Sequence, residues 1–185
     1  MRAAHPAPRR RTTYAPRVAH FAKVLTVSDR VSGGAAEDLS GPALCAQLEN
    51  AGFEVVAHVT VPDGVASVAG ALEELADGFS GLIVTTGGTG FSPRDLTPEA
   101  TASVLERDAP GLGEAMRRAS PLGALSRGRA GTIGACLIVN TPGSTRGARE
   151  SLDAILGVLP HALALLAGVS GQHPPEIGGS TASTS

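Results

Sequence analysis

The sequence is poor in aromatic residues and in lysine. It contains no tryptophan, one tyrosine and four phenylalanines among 185 residues, so we expect an aliphatic core. Lys23 is the only lysine, and it lies far from any glycine-rich segment. A Walker-type phosphate loop requires a lysine directly after its last glycine. That class of nucleotide-binding site is therefore excluded.

Cysteine and histidine are also scarce. Cys45 and Cys136 are the two cysteines, and both stand in apolar contexts typical of core thiols. The sequence has no C-x-x-C or H-E-x-x-H pattern, which argues against a zinc site. It also offers no recognisable Ser-His-Asp or Cys-His arrangement. We therefore expect a reaction that needs no nucleophile from the protein.

The chain lacks both a large excess of charge and a long apolar run. Its net charge is −2, which argues against a nucleic-acid-binding protein that depends on bulk positive charge. No apolar run is long enough to cross a membrane, and no hydrophobic segment follows the basic N-terminal residues before Phe21. We expect a cytoplasmic protein that binds neither nucleic acid nor membranes.

Composition divides the chain into one folded domain and two tails. Residues 1–20 are rich in arginine and proline, and residues 170–185 are rich in proline, glycine, serine and threonine. Both segments have little to bury, and we predict that they are disordered. The intervening residues 21–169 are long enough to form a full hydrophobic core.

Predicted strands and helices alternate through residues 21–169. Strands are predicted at residues 23–29, 54–61, 82–84 and 136–139, an irregular hairpin at 124–133, and amphipathic helices in between. This alternation indicates an α/β fold with three α/β/α layers and a mostly parallel sheet. Ligands of such sheets bind beyond the carboxyl ends of the strands.

The most informative segment, residues 82–99, joins an apolar strand to a glycine-rich loop. Three glycines in four positions, Gly87, Gly88 and Gly90, let the backbone approach a ligand closely. The free N–H groups of such a loop suit phosphate. Pro93 stands where a dinucleotide-binding fingerprint needs its third glycine, so a dinucleotide-binding site of that type is excluded. A glycine-rich turn is the simpler interpretation, but a turn does not require the Arg94-Asp95 pair that follows.

Several polar residues have two interpretations. Ser144 follows Pro142 and Gly143 in a second glycine turn, where it suits the N-cap of the next helix. Capping is likewise predicted for Ser40, Asp63 and Thr97, and turn or cap chemistry for Asp38. Asp29 fits turn chemistry and ligand binding equally well.

Residues 86–100, read as TGGTGFSPRDLTPEA, closely resemble the signature of molybdenum-cofactor biosynthesis proteins of the MogA/MoaB type. That family includes molybdopterin adenylyltransferases and the gephyrin G domain. Further matches occur at residues 25–29, 38–42, 61–63, 125–127, 130–131, 142–144 and 110–114, where Leu112 replaces the family's phenylalanine. The resemblance covers roughly residues 23–168 and implies a MogA/MoaB-like fold.

The resemblance also implies an activity and a site. AMP would pass from ATP to the terminal phosphate of molybdopterin, with Asp63 and Asp95 as catalytic residues that hold Mg²⁺ and position the triphosphate. The implied nucleotide- and pterin-binding residues are Ser28, Asp29, Thr86, Gly87, Gly88, Thr89, Gly90, Arg94, Pro142, Gly143, Ser144 and Arg146.

The resemblance further implies a homotrimer or hexamer and a molybdenum-insertion enzyme as a possible partner. An aliphatic face around Leu112 and Met116 would be buried between subunits. Two alternatives stay open: a non-catalytic, MoaB-like pterin-binding assembly protein, and an unrelated nucleotide-binding α/β domain whose motif matches are accidental. The presence of both Asp63 and Asp95 favours the enzyme.

Overall fold

A computed structural model describes residues 20–168 of the chain. The disorder predicted for the two tails falls outside these residues, except for residue 20, which belongs to a strand. Within residues 20–168, no helix combines the length and the hydropathy needed to cross a membrane.

The described residues form one sheet covered by helices. Its strands are β1 His20–Val27, β2 Phe53–Val61, β3 Gly81–Thr86, β4 Arg107–Asp108, β5 Ala130–Ile133 and β6 Cys136–Thr141. The helices are α1 Asp29–Ser32, α2 Ser40–Asn50, α3 Val65–Ala76, α4 Thr97–Val104, α5 Pro110–Arg118, α6 Thr145–Leu156 and α7 Leu159–Leu166. A 3-10 helix spans Pro121–Leu125.

The strand order in the sheet is β2-β1-β3-β6-β5-β4. The first four strands in this order are parallel, whereas β5 and β4 continue the sheet in antiparallel fashion. This confirms the predicted α/β class with a mostly parallel sheet. Thr26 of β1 pairs with Thr86 of β3, which pairs with Thr141 of β6, so the carboxyl ends of these strands meet at one edge.

Two apolar clusters, one on each face of the sheet, hold the three layers together. Successive strand residues point to opposite faces, so Leu82 packs in one cluster and its neighbour Ile83 in the other. The first cluster includes apolar residues of α2, α5, α6 and α7, and the second includes residues of α3 and α4. Both faces of β3 are covered, and all six of its residues are buried. Double burial explains why this strand has a continuous apolar run in the sequence.

The start of α2 differs from its prediction. Ser40 is the first helical residue, and Leu39 occupies the N-cap position without a side-chain hydrogen bond. The Asp38 carboxylate accepts the Gly41 N–H at 2.9 Å instead. The predicted cap at Ser40 is therefore wrong, because the neighbouring aspartate satisfies a first-turn N–H, a capping role that agrees with the prediction for Asp38.

The predicted caps at Asp63 and Thr97 are also wrong. Gly64 occupies the N-cap position of α3, and the Asp63 carboxylate instead accepts the backbone N–H of Asp29 at 2.8 Å. Thr97 lies inside the first turn of α4, and its N–H donates to the Gly88 carbonyl. Contacts with distant loops therefore displaced the local capping pattern at both positions.

Two further features differ from the predictions. The hairpin predicted at residues 124–133 is only partly right: residues 130–133 form its first strand, β5, but the turn lies at residues 134–135 and the second strand is β6, whereas residues 124–129 belong to the 3-10 helix and a loop. Met116 packs in the hydrophobic core and is 4% exposed. It therefore cannot supply the apolar subunit face predicted around Leu112, which is only partly buried.

Replacing Ile83 with alanine should destabilise the protein strongly. Ile83 is fully buried in the central strand, and deleting such a side chain removes buried apolar area and leaves a cavity. We expect a loss of about 2–5 kcal/mol in the free energy of unfolding. The control is Leu122→Ala, because Leu122 is 74% exposed and should change stability by less than about 0.5 kcal/mol. Equal urea-unfolding midpoints for the two variants would contradict the assignment of the core.

Candidate functional site

A cleft of about 400 Å³ opens at the carboxyl edge of the parallel strands. Its walls come from the segments that follow β1, β2, β3 and β6, as expected for a sheet of this type. Of the residues that the sequence implicated, the cleft is lined by Ser28, Asp63, Thr86, Gly87, Gly88, Asp95, Gly143 and Ser144. Asp29, Thr89, Gly90, Arg94, Pro142 and Arg146 lie outside this lining.

The glycine loop lies tightly against the end of β1. Gly87 has a φ of +105°, and a side chain there would place its Cβ 2.2 Å from the Val27 carbonyl oxygen. Gly88 has a φ of +62°, and its Cβ would lie 2.3 Å from the Thr97 hydroxyl. Both positions therefore require glycine for conformation and for space.

The second glycine turn packs directly on the first. A Cβ on Gly143 would lie 3.2 Å from the Gly87 Cα, and the Thr86 hydroxyl donates to the Pro142 carbonyl at 2.8 Å. Ser144 accepts the Gly147 N–H at 3.2 Å, which confirms it as the N-cap of α6. The N-terminus of α6, with its partial positive charge, therefore borders the cleft and favours an anion there.

A polar network formed by Asp29, Asp63 and Arg94, here called the loop clasp, ties three cleft loops together. The backbone N–H of Asp29 donates to the Asp63 carboxylate at 2.8 Å, and that of Asp63 donates to the Asp29 carboxylate at 3.1 Å. Arg94 donates to both Asp29 oxygens, at 2.9 and 3.0 Å, and to the Asp63 carbonyl at 3.0 Å. The clasp occupies both oxygens of Asp29, which makes Asp29 a structural contact in this arrangement.

Two carboxylates and one hydroxyl keep oxygens available near the glycine loop. Asp63 uses Oδ2 to accept from Asp29, and Asp95 uses Oδ2 to accept the Ser92 N–H at 2.9 Å. Within the described residues, their Oδ1 atoms have no hydrogen-bond partner. The Thr97 hydroxyl is fully buried and also unpartnered. An orphaned polar atom of this kind calls for an explanation, such as a water or an ion.

This donor set fits Mg²⁺ better than a zinc-like metal. Mg²⁺ prefers oxygen ligands and is usually bound by one or two carboxylates together with substrate phosphates and water. In residues 20–168, no group of three or more histidine, cysteine, aspartate and glutamate side chains could hold a metal ion. Asp63 and Asp95 could therefore hold Mg²⁺ only together with phosphate oxygens or water.

Asp38 and Thr26 line the cleft, and the sequence did not reveal that His58 contacts both of them. Asp38 Oδ2 accepts the Thr26 hydroxyl at 2.6 Å and lies 3.1 Å from His58 Nε2. Burial would raise the pKa of Asp38, but the hydrogen bonds from Thr26 and Gly41 and the charge of His58 outweigh it and lower the pKa. Asp38 therefore stays ionised and fixed in place beside the cleft.

Arg127 is a further residue whose role sequence reasoning missed. Its side chain donates to the Gly90 carbonyl at 2.7 Å, to the Asp95 carbonyl and to the Glu99 carboxylate. The hydrogen bond from Arg127 lowers the pKa of Glu99. Residue 127 is 28–37 positions from these partners, so no local spacing could have indicated the contacts. The match of residues 125–127 to the family was the one available signal.

Arg146 lies away from the cleft. It points along the outside of α6, where its guanidinium donates to the Glu150 carboxylate at 2.7 Å. This hydrogen bond raises the pKa of Arg146. The structure therefore does not bring Arg146 together with Ser144, although two positions separate them in the chain.

Comparison with known proteins agrees with the fold and with the motifs. Residues 23–161 match a protein-family model described as "Probable molybdopterin binding domain". The molybdopterin adenylyltransferase of Helicobacter pylori strain J99 is 39% identical over 152 residues, which are 78% of this chain and 86% of the relative. A molybdenum cofactor biosynthesis bifunctional protein from Synechococcus elongatus is 38% identical over 80% of this chain, but the match spans only 48% of that relative.

A solved structure supports the same grouping. The molybdopterin biosynthesis enzyme MoaB from Thermus thermophilus superposes with a TM-score of 0.76 and 48% sequence identity, covering 80% of this chain and 97% of that one. Identity at this level, together with a family match over most of the chain, confirms the resemblance. The chain belongs to the family of molybdenum-cofactor biosynthesis proteins that share the probable molybdopterin binding domain.

Proposed function

We propose that this protein is a molybdopterin adenylyltransferase, which transfers AMP from ATP to molybdopterin and releases pyrophosphate. One observation carries the proposal: Asp63, Asp95 and the glycine loop line the same cleft as the capped N-terminus of α6. The cleft thus combines carboxylates suited to a metal-bound triphosphate with a helix end suited to a second anion. The named activity of the Helicobacter pylori relative supports the same assignment.

The proposed reaction needs no nucleophile or base from the protein. An oxygen of the terminal phosphate of molybdopterin forms a bond to the α-phosphorus of ATP, the bond from that phosphorus to the bridging oxygen breaks, and pyrophosphate leaves. The attacking phosphate is already anionic at neutral pH. The work left to the protein is to align two phosphates and to stabilise the charge that develops between them.

The two glycine turns divide this work. The loop at Gly87 and Gly88 and the carboxylates of Asp63 and Asp95 receive the triphosphate, and Mg²⁺, when bound, offsets its negative charge beside these groups. The turn at Ser144, with the free N–H groups of the first turn of α6, receives the pterin phosphate without a metal. Such a division predicts that the two substrates respond to different substitutions.

We further propose a cytoplasmic homotrimer or hexamer that passes its product to a molybdenum-inserting enzyme. The two cysteines of the chain, Cys45 and Cys136, are free thiols, which suits a reducing compartment. Two large apolar side chains, Val158 and Leu165, are exposed near Leu112 along one groove. An apolar groove of this kind is suited to a subunit contact.

Asp95→Asn should abolish adenylyl transfer and leave the fold intact. The substitution keeps the size of the side chain but removes the charge that the proposal assigns to the metal-bound triphosphate. The control is Asp77→Asn, because Asp77 is an exposed aspartate at the C-cap of α3, away from the cleft lining. Product formation is followed by chromatography of adenylyl-molybdopterin, and folding by circular dichroism. Near-normal turnover by the Asp95 variant would contradict the catalytic role.

Asp63 and Ser144 should affect different ligands. Asp63→Ala should impair catalysis and weaken Mg²⁺-dependent ATP binding, while molybdopterin binding is spared. Ser144→Asp keeps an N-capping side chain but places a negative charge beside the pterin phosphate, so it should weaken molybdopterin binding and affect ATP less. Ser144→Asn is the matched neutral control, because it also caps a helix.

Calorimetric titration of each ligand against each variant measures these effects. Equal losses for both ligands in the Asp63 and Ser144→Asp variants would contradict the division of the cleft. If the wild type binds molybdopterin but not ATP with Mg²⁺, the protein is a non-catalytic pterin-binding protein.

Sedimentation velocity should detect a trimer or a multiple of it at micromolar concentration. Leu165→Glu should shift the protein toward a smaller species, because the charge would be buried in the proposed contact. The control is Leu122→Glu, which alters another exposed leucine that lies outside the groove. A stable wild-type monomer would contradict the proposed assembly.

A further inference from the structure

Arg127 reaches the glycine loop from outside the cleft. Its backbone N–H donates to the Thr89 carbonyl at 2.9 Å, and its guanidinium donates to the carbonyls of Gly90 and Asp95. Arg127 does not line the cleft itself. One residue thus binds three carbonyl groups of the segment that carries the proposed nucleotide contacts.

These contacts determine the direction of the loop's N–H groups. In a trans peptide the C=O of one residue and the N–H of the next point in opposite directions across one rigid plane. Holding the Thr89 and Gly90 carbonyls on Arg127 therefore turns the N–H groups of Gly90 and Phe91 away from Arg127. The loop contains three glycines, which lose more conformational freedom on ordering than any other residue, so an external support is needed to keep one arrangement.

Asp95 is held from two sides. Its carboxylate accepts the Ser92 N–H at 2.9 Å, and its main-chain carbonyl accepts from Arg127. Glu99, in the first turn of α4, forms an ion pair with Arg127, which fixes the guanidinium relative to the helix that follows the loop. The chain of contacts runs from Glu99 through Arg127 to Asp95, and it leaves Oδ1 of Asp95 free.

We infer that Arg127 is a positioning residue, which sets the glycine loop and Asp95 in the geometry that receives the nucleotide. The inference rests on the proposed function for its kinetic consequences. Its structural consequence, a preset loop in the ligand-free protein, does not depend on which reaction is catalysed. Arginine suits this role better than lysine, because its planar guanidinium carries several donors in a fixed arrangement and can bind several acceptors at once.

The test uses Arg127→Met, which keeps the aliphatic part of the side chain and the backbone N–H but removes the guanidinium donors to Gly90, Asp95 and Glu99. We expect kcat to fall roughly ten- to hundredfold, the scale of loss that a misplaced reacting group produces. The Michaelis constant for molybdopterin should stay within about twofold, because the pterin side of the cleft does not touch Arg127. The matched control is Arg129→Met, which removes a neighbouring arginine that pairs with Asp108 at 3.2 Å. This control should retain wild-type kinetics.

Two further variants separate positioning from charge and from folding. Arg127→Lys keeps the charge, but a single ammonium group cannot span the acceptors, so it should restore less than half of the lost activity. Glu99→Gln removes the charge but keeps an acceptor oxygen for the Arg127 guanidinium, so it should retain most of the activity. Wild-type kcat in Arg127→Met, or full rescue by Arg127→Lys, would overturn the inference.

Hydrogen exchange supplies a readout that is independent of turnover. In the ligand-free protein, Arg127→Met should speed amide exchange in residues 87–96 and leave β1 and β2 unchanged. Calorimetry should show that Arg127→Met weakens ATP binding in the presence of Mg²⁺ by a smaller factor once Asp95 is already asparagine, because only its effect on the glycine loop then remains. In a protein that carries Asp63→Ala, Arg127→Met should weaken ATP binding by the same factor as it does in the wild type, because the two effects are independent.

The outcomes distinguish this inference from the proposed function. Absence of product from the wild type contradicts the adenylyltransferase, while the exchange measurement still decides the role of Arg127. Unchanged exchange in residues 87–96 of Arg127→Met overturns the inference even when the wild type is active. Faster exchange throughout the sheet would also overturn it, because that result indicates a general structural role.

Discussion

The paired hydrogen bonds between Asp29 and Asp63, braced by Arg94, are the contact on which the geometry of the cleft depends. They join the loops that follow β1 and β2 to the loop that follows β3. The side chain of Arg94 is 59% exposed and that of Asp29 is 44% exposed, and an ion pair so exposed is worth about 1 kcal/mol or less in stability. The effect of the clasp is therefore positional: it turns Asp63 toward the cleft and away from the cap of α3.

The clasp is effective because the strands beneath it form a rigid platform. Leu82 and Ile83 pack into opposite apolar clusters, so neither face of the central strand can yield without opening a cavity. The carboxylates in the loops that follow these strands therefore lie at one edge of the sheet, and the rigid strands keep them there. An acidic edge alone would repel two phosphate-bearing substrates, and the N-terminus of α6 beside Ser144 supplies the opposing positive potential.

Sequence reasoning succeeded at some positions with a local signal, although the caps predicted at Ser40, Asp63 and Thr97 were wrong. The helix cap at Ser144 and the glycine loop at Gly88 each follow from neighbouring residues and from backbone geometry. It failed where partners lie far apart in the chain: His58 meets its aspartate across 20 positions, and Arg127 meets the glycine loop across more than 30. Arg146 shows the opposite failure, since proximity in sequence to a cleft residue did not place its side chain in the cleft. Spacing arguments encode helix and strand periods, and they carry no information about contacts between loops.

The most direct test of the account is the reaction of the purified wild-type protein with ATP, Mg²⁺ and molybdopterin labelled with ¹⁸O in its terminal phosphate. The account predicts equal amounts of adenylyl-molybdopterin and pyrophosphate. It also predicts that the label stays in the product and is absent from pyrophosphate, because a phosphate oxygen of molybdopterin attacks the α-phosphorus. Tight binding of molybdopterin without formation of pyrophosphate, or label recovered in pyrophosphate, would contradict it.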